Sequence, residues 1–129
     1  MTVAISFEHA FTDDVRHPLE DPSLQALEAS RKHGFVVMVL TVDGHSVDYG
    51  RCRVMDYHFD LLEELALLAS GDDHNISMSS YTVGTVRRRA GGQLEVTLFT
   101  ADGSPTSNVP ETELTKALQE AERRLRAYL

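Results

Sequence analysis

Tryptophan is missing from this chain of 129 residues, cysteine occurs once, and only two of its twelve basic residues are lysine. Each shortage excludes something. A lone thiol, Cys52, cannot form an intramolecular disulfide, so nothing of that kind staples the fold. No apolar run approaches the roughly 20 residues that span a bilayer. Met1-Thr2-Val3-Ala4-Ile5 has neither the basic start nor the long apolar core of a signal peptide. A cytoplasmic protein with no membrane partner is the expectation. Basic residues are also outnumbered, 12 against 20 acidic, for a net charge of −8. Such a surface repels phosphate backbones at long range, and the small aromatic content offers little material for stacking bases, so no nucleic-acid partner is expected.

What is present is an ordinary globular composition, 42% hydrophobic and 25% charged, in a length that suits a single domain over 1–129. The chain is organised around Phe35–Gly71. Phe35-Val36-Val37-Met38-Val39-Leu40-Thr41-Val42 is apolar on both faces and rich in β-branched residues, which predicts a strand covered on both sides. Asp43-Gly44 predicts the turn of a hairpin. In the return strand Val47 and Tyr49 have one parity and Cys52 and Val54 the other, so a bulge is expected at Gly50. Asp56 then caps a helix with a stripe of Tyr57, Leu61, Leu65, Leu68 and Ala69, widened by Phe59, Leu62 and Ala66. Asp60, Glu63 and Glu64 are left to mark a wet face, so the helix reads as mostly buried, with Gly71 ending it.

Before this unit, Val3, Ile5 and Phe7 alternate with small residues as a short strand, and His9–Asp21 reads as an acidic surface loop. Asp21-Pro22 predicts a helix start, with an end near His33-Gly34. After it, Ile76–Arg89 reads as one strand with a break at Gly84, Gly91-Gly92 as a turn, and Leu94, Val96 and Leu98 as the inward residues of the next strand. Asn108 and Glu111 have capping-box spacing around Pro110. The last helix presents Leu114, Leu118, Ala121, Leu125 and Tyr128 on one side, with Glu120–Arg124 and Glu122–Arg126 as expected pairs. The order is β-α-ββα-ββα, an α+β fold with helices packed on an antiparallel sheet.

Residues able to do chemistry are scattered. Six histidines are present, four near acidic residues, without H-E-x-x-H, C-x-x-C or two His at i and i+4, so neither metal nor cofactor is expected. Cys52 sits in a strand and reads as structural. Ser77, Ser79 and Ser80 lack a nucleophile elbow, and the glycines form no phosphate loop. No catalytic residue is therefore assigned. The one local departure from the acidic background is Arg87-Arg88-Arg89. Arg51 with Arg53, and Arg87 with Arg89, each share a strand face. If the strands are close, the four form a positive strip able to bind a carboxylate, a phosphate or an acidic partner segment. The plainer reading pairs them with Glu95, Asp48 and other acids.

The sequence thus supports a small acidic, non-catalytic domain that engages a protein partner, in the manner of immunity proteins or secretion chaperones, and itself forms a homodimer. The run α-ββ-α-ββ-α resembles the element order of small dimeric secretion chaperones, without a shared motif and with an extra N-terminal strand. The alternative is a small enzyme using His and Asp residues in a loop-lined pocket.

Overall fold

The computed structural model describes residues 3–10, 16–18, 35–78 and 81–127. The helix expected from Pro22 to about His33, most of the acidic loop before it, and Tyr128 lie outside these residues.

The alternation of Val3, Ile5 and Phe7 produces β1 (Val3–Ala10), with Ile5 and Phe7 in the core. A short β2 (Arg16–Pro18) pairs with its end, inside the stretch expected to be loop. The doubly apolar run forms β3 (Phe35–Val42), which lies between β1 and β4 (His45–Arg53) in an antiparallel sheet of order β2-β1-β3-β4. Its inner position explains its composition. Val36, Met38, Leu40 and Val42 enter the core, and Val37, of opposite parity, is also fully buried. Asp43 and Gly44 both have positive φ, 53° and 84°, the geometry that suits a tight hairpin. The register moves from Val37 opposite Arg51 to Val39 opposite Asp48, so β4 carries an extra residue around Gly50. This bulge turns both Val47 and Cys52 toward the core, as their opposite parities require.

Helix α1 (Val54–Ser70) begins two residues before the expected cap. Arg53 holds the N-cap position with extended backbone and no side-chain bond, while Asp56 lies in the first turn, where its charge suits the helix dipole. Gly71, at φ 86°, ends the helix by donating its N–H to Leu68 O at 3.3 Å. The expectation of a mostly buried helix is corrected. Tyr57, Leu61, Glu64 and Leu68 are its buried residues, whereas Phe59, Leu62, Ala66 and Ala69 are exposed. One sheet-and-helix layer covers only one side of a cylinder, so a second apolar stripe on the opposite side is left in solvent.

The expected strand Ile76–Arg89 is two strands. β5 (His74–Met78) and β6 (Tyr81–Arg89) pair antiparallel, with Met78 opposite Tyr81. The run between them holds only serines, which mark a turn more weakly than Gly, Asn or Pro. β7 (Gln93–Leu98) buries Leu94, Val96 and Leu98 as its alternation predicts. β8 (Thr106–Pro110) replaces the expected capping box: Asn108 stands opposite Glu95 in the ladder, and the final helix α2 (Glu111–Arg126) starts after Pro110 with no side-chain cap. Burying Val109 opposite Leu94 and completing the ladder outweighs the roughly 1 kcal/mol a cap would contribute. The second sheet is thus a meander, β5-β6-β7-β8. The fold is α+β, with two antiparallel sheets where one was expected. Both sheets and both helices contribute to one core, in which α2 buries Leu114, Leu118, Ala121 and Leu125.

Candidate protein-binding surface

The arginines expected to form a strip are placed along two separate strands. Arg53 is exposed at the end of β4 and leads directly into α1. The side chain of Arg51 is outside the described residues; its backbone pairs with Val37. Arg87 and Arg89 are exposed on β6, where Arg89 pairs with Glu95 at 2.9 Å, as the plainer reading anticipated. Between them, Arg88 turns the other way. Its Nη2 donates to Leu68 O at the far end of α1. From Arg53 to Leu68 the helix rises about 22 Å, so the two pairs flank opposite ends of α1.

Arg88 is the residue of this triplet with a structural task. Besides Leu68 O, its Nη1 pairs with Glu111 Oε1 at 2.8 Å in the first turn of α2, and its backbone N–H donates to Asp73 Oδ1 at 2.7 Å. A cation at the C-terminus of one helix and an anion at the N-terminus of the next each lie where the helix dipole favours them. Replacing Arg88 by Ala is expected to lower unfolding stability by about 1–2 kcal/mol in urea titration, whereas Arg87→Ala stays within about 0.5 kcal/mol.

Among the described histidines, His58 and His74 each engage a carboxylate. His58 Nε2 meets Glu122 Oε1 at 2.9 Å, joining α1 to α2, and Glu122 also pairs with Arg126 at 3.3 Å. The expected partner of Glu120, Arg124, donates instead to Ile5 O at 3.0 Å and lies over the Phe7 ring, while Glu120 is reached by Arg123 at 3.4 Å. No three His, Cys, Asp or Glu side chains converge among the described residues. Cys52 packs against the core and points its thiol at Asp56 Oδ2, 3.7 Å away. A shallow groove between the hairpin turns is lined by His45, Ser46, Asp102 and Ser104. Ser46 Oγ is engaged by Thr41 Oγ1 at 2.8 Å, and no hydrogen bond links His45 to Asp102 among the described residues.

Glu64 is the polar exception in the core. It occupies a buried position of the inner stripe, 3% exposed, rather than the wet face expected for it. Its Oε1 lies 2.5 Å from His74 Nε2, and His74 Nδ1 lies 3.2 Å from Asp72 O, which can only accept. Nδ1 therefore carries a proton, and the short Nε2–Oε1 contact holds another between the two side chains. Burial raises the Glu64 carboxyl above its usual pKa, and the hydrogen bond and charge of His74 oppose that rise. Beside it, Ile5, Met38, Met78, Leu114 and Leu118 enclose a void of about 10 Å³, room for one water molecule and for no substrate.

The outer side of α1 stands in contrast. Met55, Phe59 and Leu62 are 55%, 60% and 42% exposed. With the exposed Ala66 and Ala69 they follow the spacing 4, 3, 4, 3, one continuous stripe opposite the core. Single exposed hydrophobes are ordinary, but a contiguous row along four turns marks a surface that meets something apolar. Periodicity places Phe59, Leu62, Ala66 and Ala69 with the core residues, because it cannot by itself tell an inner stripe from an outer one. The available signal was an apolar residue on nearly every side of one helix. No protein-family model, curated protein or solved structure matches the chain.

Proposed function

We propose that this is a non-catalytic protein-binding domain whose docking surface is the outer face of α1. The observation that carries the reading is the row Met55, Phe59 and Leu62, held in solvent by a helix whose other side is anchored in the core. An occupant of matching chemistry is an apolar helical segment, laid lengthwise so that its own i, i+3/i+4 residues interdigitate with these. Asp56 and Glu63 along one edge of the row favour basic residues on the side of the occupant that faces them. The small enzyme is the weaker reading, because catalysis needs several groups within mutual reach, and His45 and Asp102 lack that contact.

Photo-crosslinking residues introduced at positions 59 and 62, in the cells that make the protein, test the proposal, with Asn75 on β5 as the exposed control. One polypeptide, identified by mass spectrometry, is expected to crosslink at 59 and 62 and not at 75. With purified partners, Phe59→Glu is expected to weaken binding by about 2 kcal/mol or more, roughly 30-fold. Crosslinks at 59 no more specific than those at 75 would remove this function.

A further inference from the structure

We propose that the segment docking on the outer face of α1 is the same face of a second copy of this chain, with a two-fold axis running along α1. This rests on the reading of that face as a protein-binding surface. Charge on the two sides of the apolar row selects the occupant. At 100° per residue, Asp56 and Glu63 lie to one side of the row and His58 to the other. His58 bonds Glu122, so α2 flanks that second side, where it exposes Lys116, Arg123 and Arg126 around Glu120. The surface therefore runs from the exposed side of α2, three basic residues to one acidic, across an apolar row, to an acidic edge.

The levels also match. His58 near the start of α1 meets Glu122 near the end of α2, whereas Leu68 and Glu111, at the opposite ends, share Arg88. The helices are antiparallel, which sets Asp56 level with Arg123 and Arg126, and Glu63 level with Lys116. A two-fold interface is self-complementary, and its axis lies in the plane between the copies. With the axis along α1, each acidic edge meets the exposed basic side of α2 in the other copy: Asp56 faces Arg123 and Arg126, and Glu63 faces Lys116. With the axis across α1, which also reverses the levels, acid would face acid and the basic side of α2 would face its own copy. The side chains of Arg123 and Arg126 remain 68% and 62% exposed despite their pairs with Glu120 and Glu122, so donors of both forks are free to reach across. The net charge of −8 on each copy opposes association at long range, but salt screens that repulsion beyond about 8–10 Å, while facing charges act inside that distance.

Sedimentation equilibrium of the full chain from 1 to 200 µM tests this. The wild type is expected to be a dimer. Phe59→Glu is expected to be a monomer, weakened at least 30-fold, with a melting temperature within a few degrees of wild type. Reversing the acidic edge (Asp56→Arg with Glu63→Arg) and reversing the basic one (Lys116→Glu, Arg123→Glu and Arg126→Glu) should each weaken the dimer at least tenfold. All five changes in one chain should restore it to within about threefold, because the edges then attract again. A dimer indifferent to Phe59, or five changes that bring no recovery, overturns the proposal. A wild-type monomer whose position 59 crosslinks to a different polypeptide overturns this inference and leaves the docking face standing. A monomer without crosslinks, or one in which Phe59→Glu unfolds the chain, overturns both.

Discussion

One methyl group added at Gly84 is expected to destabilise the protein by about 3 kcal/mol. A Cβ there would stand 2.3 Å from Thr97 O, well inside van der Waals contact. The cost is steric. Gly84 is absent from the positive-φ residues, so no left-handed backbone requires glycine there. Neither neighbour can retreat cheaply. Gly84 sits opposite Leu98 in the β6–β7 ladder, and β7 is held on its other side by β8. The adjacent Val83 O accepts Phe99 N–H at 2.8 Å. The bulge accounts for the crowding: the register passes from Ile76 opposite Gly84 to Ser77 opposite Thr82, which leaves Val83 as the extra residue and turns both Val83 and Val86 inward. Gly91→Ala is the comparison. It has positive φ, 73°, but open space around its Cβ, and its conformational cost is about 1 kcal/mol. Urea unfolding of both variants checks the pair. A Gly84→Ala variant within about 1 kcal/mol of wild type would mean that β7 yields, and that Gly84 is not a packing requirement.

The second large effect belongs to Glu64. Glu64→Ala is expected to cost about 2–4 kcal/mol, because it enlarges an existing void and leaves His74 Nε2 buried without its partner. Glu64→Gln is expected to be far milder, since its amide can donate to Nε2 at the same position. The pH dependence separates the two forms of the carboxyl. Its folded pKa is raised above the ordinary value of 4.5, chiefly by burial. The folded chain thus holds a proton that the unfolded chain releases, and the contribution is fully present below about pH 4.5 and lost as pH rises through the folded value. Gln does not titrate. The stability of Glu64→Gln relative to wild type should therefore increase as pH rises above 4.5, measured as the difference in urea midpoint at matched pH values. Two parallel profiles would show that Glu64 has the same pKa folded and unfolded.

Much of the architecture was legible along the chain because it follows from local rules. Alternation marked the inward residues of β1 and β7. The doubly apolar run marked β3 as an inner strand, and Asp43-Gly44 its turn. The shift of parity around Gly50 marked the bulge in β4, since a strand that keeps its valines inward while changing parity must gain a residue, and the parity break at Gly84 lies beside the second register shift. What was misread involves competition between local and non-local terms. Asn108, Pro110 and Glu111 satisfy a capping pattern, but the ladder with β7 and the burial of Val109 claim those residues for a strand. Ser79-Ser80 is too weak a turn signal to divide β5 from β6.

The sequence by itself determined the α+β class, a net charge of −8, the inner stripe of α2, the inward Tyr57, Leu61 and Leu68 of α1, and the positions where strands bend. Helical periodicity and strand alternation are properties of neighbours in the chain, and they need no knowledge of the rest. Only the tertiary structure decided which side of an all-round apolar helix is covered. It put Glu64 inside with His74 and left Met55, Phe59 and Leu62 outside. It also carried Arg88 to the junction of the two helices and spread the arginines to either end of α1. Burial and charge pairing depend on which distant segments arrive on each side of an element, and spacing along one chain carries no record of that.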